Sequence, residues 1–177
     1  MPSTYTLISS NVLTSSAASV TFSSIPATFT DLVIRATVRT SESGIRGNIL
    51  IQLNSDSATN YSSTWILGYS STPSGARQTN ATSLFGNEDN INGNTTTSNS
   101  FGSFELYLPS YLVSQNKSMS AIGVIENNSG TDGQYGIFPI AGLWRNTAAV
   151  TSISLFNAST FQFLSGSSFY LYGIKNS

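Results

Sequence analysis

Little in this chain could do chemistry, and what is missing narrows it further. Histidine and cysteine are both absent, which removes the commonest general base at neutral pH, the commonest metal ligand and any thiolate nucleophile or disulfide. No Gly-x-Ser-x-Gly elbow is present to raise a nucleophilic serine. Carboxylate pairs remain, since glycoside hydrolysis needs only two Asp or Glu residues. The eight are Asp31, Glu42, Asp56, Glu88, Asp89, Glu105, Glu126 and Asp132. Glu105 and Glu126 fall on expected strands, where a glycosidase would hold them, but an outward carboxylate on a strand is ordinarily solvated, and no enzyme is expected. Asn87, Glu88, Asp89, Asn90, Asn92 and Asn94 form an oxygen-rich run of the sort hard cations favour. Its spacing lacks the glycine and terminal glutamate of a calcium loop, and Asn and Asp also serve turns. The reading is a polar loop, with no metal and no cofactor.

The other candidates bind rather than react. Tyr61, Tyr69, Tyr107, Tyr111, Tyr135, Tyr170 and Tyr172 could stack on sugars, pack in a core or cover a subunit interface. Tyr107 is expected to point away from the core. Tyr170 and Tyr172 lie two apart in FYLYGI, an aromatic and β-branched run suited to a sheet. Arg35 and Arg39 share the outward stripe of the cleanest alternation in the chain, residues 31–40, where Leu32, Ile34, Ala36 and Val38 face in and Val33 faces out with the arginines. Both arginines read either as solvated charges or as interface residues.

These side chains must be positioned by strands. Alternating runs begin at Tyr5, Val20, Asp31, Asn48, Tyr61, Gly102, Lys117, Tyr135, Val150 and Phe169, with turn signals between them, of which residues 128–133, NSGTDG, are the strongest. Tyr5 to Ser10 reads as an edge strand. The run from Phe169 reads as a strand paired on both sides. A single helical turn is plausible at residues 111–114. Residues 70–100 lose the period and are expected to project as a long loop, pinned to the body by Leu84 and Phe85. The expectation is one domain, all-β, a jelly-roll-like antiparallel sandwich of about ten strands.

Charged residues are 8% of the 177 and the net charge is -1, against about 25% charged residues in ordinary domains. Ser, Thr and Asn supply the polarity instead. No basic field exists to attract phosphates, so nucleic acid is not an expected partner. No apolar run approaches the roughly 20 residues that span a membrane, and no basic leader precedes an apolar core, so the chain is expected to be made and kept in a cytoplasm.

The opening YTLISSNVLTSSAASVTFSSIPATFTDLVIRATVRT, the middle ENN, AGLWRNTAAVTSISL and the final FYLYGIK together resemble small virion proteins of tailed bacteriophages, particularly those of cyanobacteria and marine bacteria. That resemblance spans nearly the whole chain, and its motifs are structural. It implies a place on the virion surface after assembly in the host cytoplasm. The implied role is a capsid decoration or cement protein, a homotrimer docked on the major capsid protein lattice. The alternative is a tail-fibre or adhesin tip binding a host glycan. Residues expected at such contacts are Arg35, Arg39, Leu84, Phe85, Tyr107, Tyr170 and Tyr172.

Overall fold

The computed structural model describes residues 4–68, 73–85, 90–128, 135–158 and 160–175. Thirteen strands follow one another among them: β1 (Tyr5–Val12), β2 (Ser19–Phe22), β3 (Asp31–Val38), β4 (Arg46–Gly47), β5 (Leu50–Leu53), β6 (Tyr61–Leu67), β7 (Ser74–Ala81), β8 (Ile91–Asn92), β9 (Gly102–Leu108), β10 (Lys117–Ile125), β11 (Gly136–Trp144), β12 (Ile153–Phe156) and β13 (Ser168–Ile174). The all-β antiparallel sandwich expected from the alternation is what forms, with thirteen strands among the described residues where about ten were expected, and with its strands dealt unevenly. Eight make one sheet in the order β1-β13-β3-β9-β10-β11-β6-β7, three make β2-β12-β5, and two make β4-β8.

Period-2 burial ties the layers together. Leu32, Ile34, Ala36 and Val38 of β3 point inward with Phe104, Leu106 and Leu108 of β9 and Phe169 and Leu171 of β13. Facing them are Val20 and Phe22, Ile51 and Leu53, and Ile153 and Leu155 of the three-stranded sheet. Each such Val, Leu, Ile or Phe side chain contributes about 1.5–3 kcal/mol when fully buried. β13 is zipped between β1 and β3, as its aromatic run suggests, and β1 is an edge.

The small sheet is too narrow to cover the large one, and residues 84–85 and 90–92 help to fill the gap. Leu84 exchanges both main-chain hydrogen bonds with Ile51, at 2.9 and 3.2 Å. Phe85 is buried against Phe104, ring centroids 6.1 Å apart. It sits in the left-handed region at φ 65°, which costs about 1–3 kcal/mol in a non-glycine residue and persists only where packing over-determines it. Gly123 lets this segment lie flat, because a Cβ there would run into the main-chain oxygen of Asn90.

The structure corrects four expectations. Residues 74–81 do not project: they form β7, hydrogen-bonded to β6, and 91–92 form β8; residues 69–72 and 86–89 lie outside the described residues. β7 escapes the alternation because SGARQTNA is exposed or half-exposed throughout, so neither face needed apolar residues. Residues 111–114 form no helix; Val113 N–H bonds Ser110 O in a turn, entered through Ser110 at φ 50°, which a helix cannot accommodate. Val33 faces out but is buried, because its cross-strand neighbours are Tyr107 and Tyr172. The fourth concerns Arg39, below. Residues 129–134, most of the expected NSGTDG turn, lie outside the described residues, though β10 and β11 on either side pair antiparallel.

Pro139 sits inside β11, where a central strand normally excludes it. Gly68 and Ile137 exchange both main-chain bonds, so the next such pair two residues on would need an N–H from Pro139. The β6 ladder lapses there, between Trp65 opposite Ile140 and Gly68 opposite Ile137.

Candidate functional site

The outer face of the eight-stranded sheet has no described layer over it, and most of the expected contact residues gather there. Register carries one line of side chains across it through Tyr170, Arg35, Glu105, Ile122 and Pro139, and a second through Tyr172, Val33, Tyr107, Ser120 and Ala141. At about 4.8 Å per strand, five strands span roughly 19 Å.

One half of this face is aromatic and polar. Arg35 Nε donates to Glu105 Oε2 at 2.8 Å, and its guanidinium lies 5.3 Å from the centroid of the Tyr5 ring. Tyr170 and Tyr172 stack at 6.4 Å, and Tyr5 meets Tyr172 edge-on at 6.3 Å. Tyr107 donates its hydroxyl proton to Asp31 Oδ2 at 2.9 Å. That bond, then burial, then the charges of Asp31 and Tyr5, hold the Tyr107 phenol above its ordinary value. Arg35 and Glu105 neutralise each other, and as a solvent-facing pair they add at most about 1 kcal/mol.

The other half is apolar. Ile66, Ile122 and Ile137 leave 55%, 37% and 47% of their surface exposed. An open depression lined by Thr64, Ile66, Ser120, Pro139 and Ala141 runs between them, almost wholly apolar. A second, lined by Arg35, Thr37, Ser103, Glu105, Tyr170 and Tyr172, opens on the aromatic half. Alternation missed the apolar half because β10 and β11 carry apolar residues on both faces, the pattern of strands covered twice. Pro139 was the available signal.

Arg35, Tyr107, Tyr170 and Tyr172 thus come together, while the other three expected contact residues do not. Arg39 shares the parity of Arg35, but its guanidinium is turned away from the stripe. It donates to the carbonyls of Asn94 at 2.8 Å, Thr96 at 2.9 Å, Thr97 at 2.9 Å and Ser100 at 3.4 Å. It clasps a loop that the loss of period at 70–100 had left shapeless. Leu84 and Phe85 are fully buried, so they pin the chain as expected and offer no surface contact.

The acidic candidates are also placed. Glu105 lies opposite Ile122, and Glu126 is four residues further along, roughly 14 Å by strand rise. Glycosidase carboxylates work at about 5–9.5 Å. Glu126 is moreover held by the N–H groups of Asn127 and Asn128. Of the Asn87–Asn94 run, Asn90 and Asn92 are buried; Asn90 Oδ1 accepts from Ile49 N–H and Asn92 Nδ2 donates to Ser100 Oγ. Among the described residues no three His, Cys, Asp or Glu side chains converge on a metal-sized site. The chain also holds Ser114 and Lys117 at Ser-x-x-Lys spacing. Burial pushes the Lys117 amine below its ordinary value, yet its Nζ donates to the carbonyls of Val113, Gln115 and Thr147. Those bonds hold the ammonium, and none goes to Ser114.

Compared with known proteins, the chain matches no family model, no curated protein and no solved structure.

Proposed function

We propose that this chain is a bacteriophage virion structural protein, a capsid decoration protein that lays the open face of its large sheet on the outer surface of the assembled head. The observation that carries the reading is the character of that face: a broad twisted surface, apolar at one end and tyrosine-rich at the other, its central charges paired with each other. Such a surface suits contact with a neutral protein lattice by shape and buried area. The whole-chain resemblance to phage virion proteins supplies the partner, the major capsid protein. Decoration stabilises a shell because the protein binds the assembled lattice and not the free subunits, so each bound copy shifts the equilibrium toward the shell. Co-sedimentation with assembled capsids tests this. Wild-type protein is expected to pellet with capsids and not with free subunits, and Ile122→Lys and Ile137→Lys, both solvent-facing in the isolated chain, are expected to stay folded and remain in the supernatant. Pelleting unchanged by both substitutions would remove the open face from the mechanism.

The tyrosine-lined depression favours a second reading, a tail-fibre or adhesin tip that binds a host glycan by stacking sugar rings on Tyr170 and Tyr172. A glycan array separates the two: hits that disappear in Tyr172→Ala support the adhesin, and an array without hits removes it.

A further inference from the structure

The two rims of the eight-stranded sheet are built differently. β7 closes one with Gly75, Arg77 and Asn80 at φ 54°, features that charge or bend an edge against pairing. β1 closes the other with YTLISSNV, which contains no charge, no proline and no glycine. Every residue of it except Ile8 is exposed, and among the described residues no strand lies beyond it. Leu7 and Val12 leave 51% and 57% of their surface in water. An uncharged, eight-residue open edge of this kind is a template for another strand.

The direction of its main-chain groups says which strand fits. Leu13 N–H donates to Ser167 O at 2.9 Å, so antiparallel alternation turns the main-chain groups of Asn11 and Ser9 toward β13 and those of Ser10 and Val12 toward the open rim. The register shift between Leu7 and Ser9 resets the phase, so Thr6, opposite Gly173, turns in and Leu7 turns out. Tyr5, Leu7, Ser10 and Val12 therefore share one side chain face and one outward hydrogen-bonding direction, arranged symmetrically about the Ile8–Ser9 bond.

We propose that β1 pairs antiparallel with the β1 of a second copy across a two-fold axis at that bond, setting Leu7 opposite Ser10 of the other chain. Both residues then exchange main-chain bonds in register, and Val12 comes beside the Tyr5 ring, so that these two side chains cover one another. The isologous contact closes after two copies and joins two open faces into one surface. It stands whether or not the chain binds a capsid.

Native mass spectrometry and sedimentation equilibrium on the full chain test it. Wild type is expected at twice the 18.8 kDa of one chain. Ser10→Pro removes a rim-facing N–H, and Leu7→Lys places a charge on the rim; both are expected at single-chain mass, each with one cooperative thermal transition that shows a folded monomer. Because the protein has no cysteine, register is tested by mixing single variants. Leu7→Cys with Ser10→Cys is expected to form a disulfide-linked heterodimer, since opposed hydrogen-bonded residues sit about 5.5 Å apart, within disulfide reach. Leu7→Cys alone is expected to form none. A wild-type monomer or trimer overturns the proposal, as does a dimer that survives both rim substitutions or cross-links without regard to register.

Discussion

Replacing Arg39 by alanine should cost more than any surface substitution ordinarily does. Its guanidinium makes three contacts of 2.8–2.9 Å to the carbonyls of Asn94, Thr96 and Thr97 and a longer one of 3.4 Å to Ser100. Hydrogen bonds to charged groups contribute about 1.5–3 kcal/mol, but these carbonyls lie near the surface and regain water when released, so about 1 kcal/mol per short contact is appropriate. The expected loss is about 3 kcal/mol, or roughly 6–12 °C in melting temperature for a domain of this size. Arg39→Lys keeps the charge and loses the planar fork that reaches several acceptors at once, so it should recover only about 1 kcal/mol. Urea unfolding of the three proteins measures this through the midpoint, with the slope unchanged. Amide exchange over residues 94–100 should accelerate in the alanine variant while β9 and β10 keep their protection. A loss below about 0.5 kcal/mol, or a lysine variant equal to wild type, would refute the clasp and return Arg39 to the solvent-facing stripe.

Three further substitutions probe other parts of the fold. Burial pushes the Asp56 carboxyl up, but bonds from Asn60, Trp144, Ala58 and Asn146 outweigh it and hold the group below its ordinary value. The stability this gives is present above pH 3.8 and lost as pH falls through the lower folded value, so Asp56→Ala should cost about 2 kcal/mol at pH 7, with the gap to wild type closing in an acid titration. Tyr61 is fully buried, its hydroxyl accepting from Leu53 N–H at 3.0 Å, and burial pushes it up to about 12. Its share of stability is whole below pH 10 and falls as pH rises from 10 to 12, by at most about 2.7 kcal/mol; Tyr61→Phe should remove that part of the alkaline slope. Gly123→Ala should destabilise by about 2 kcal/mol or more on thermal denaturation, since its Cβ meets the main-chain oxygen of Asn90, whose side chain is held in turn by Ile49 N–H.

How much was legible followed from how local each signal is. β3, β9, β12 and β13 announced themselves because one face of each is apolar at period 2, and Tyr170 and Tyr172 share a face for the same reason. That Tyr172 neighbours Val33 and that Arg35 neighbours Glu105 depends on pairings between strands distant in the chain, which alternation cannot supply. β7 was silent because an edge strand exposed on both faces has no hydrophobic constraint to display. The loop held by Arg39 was silent because its order comes from a side chain more than fifty residues upstream. The apolar half of the open face is not legible in alternation, since Ile122 and Ile137 look the same under a second layer or under a partner.

The most direct test of the central claim is immunogold labelling of intact particles with antibody against this chain, counting gold on heads and on tails. Decoration predicts label spread over the heads and absent from heads assembled without the protein. Label confined to the tail, or particles with none, would contradict it.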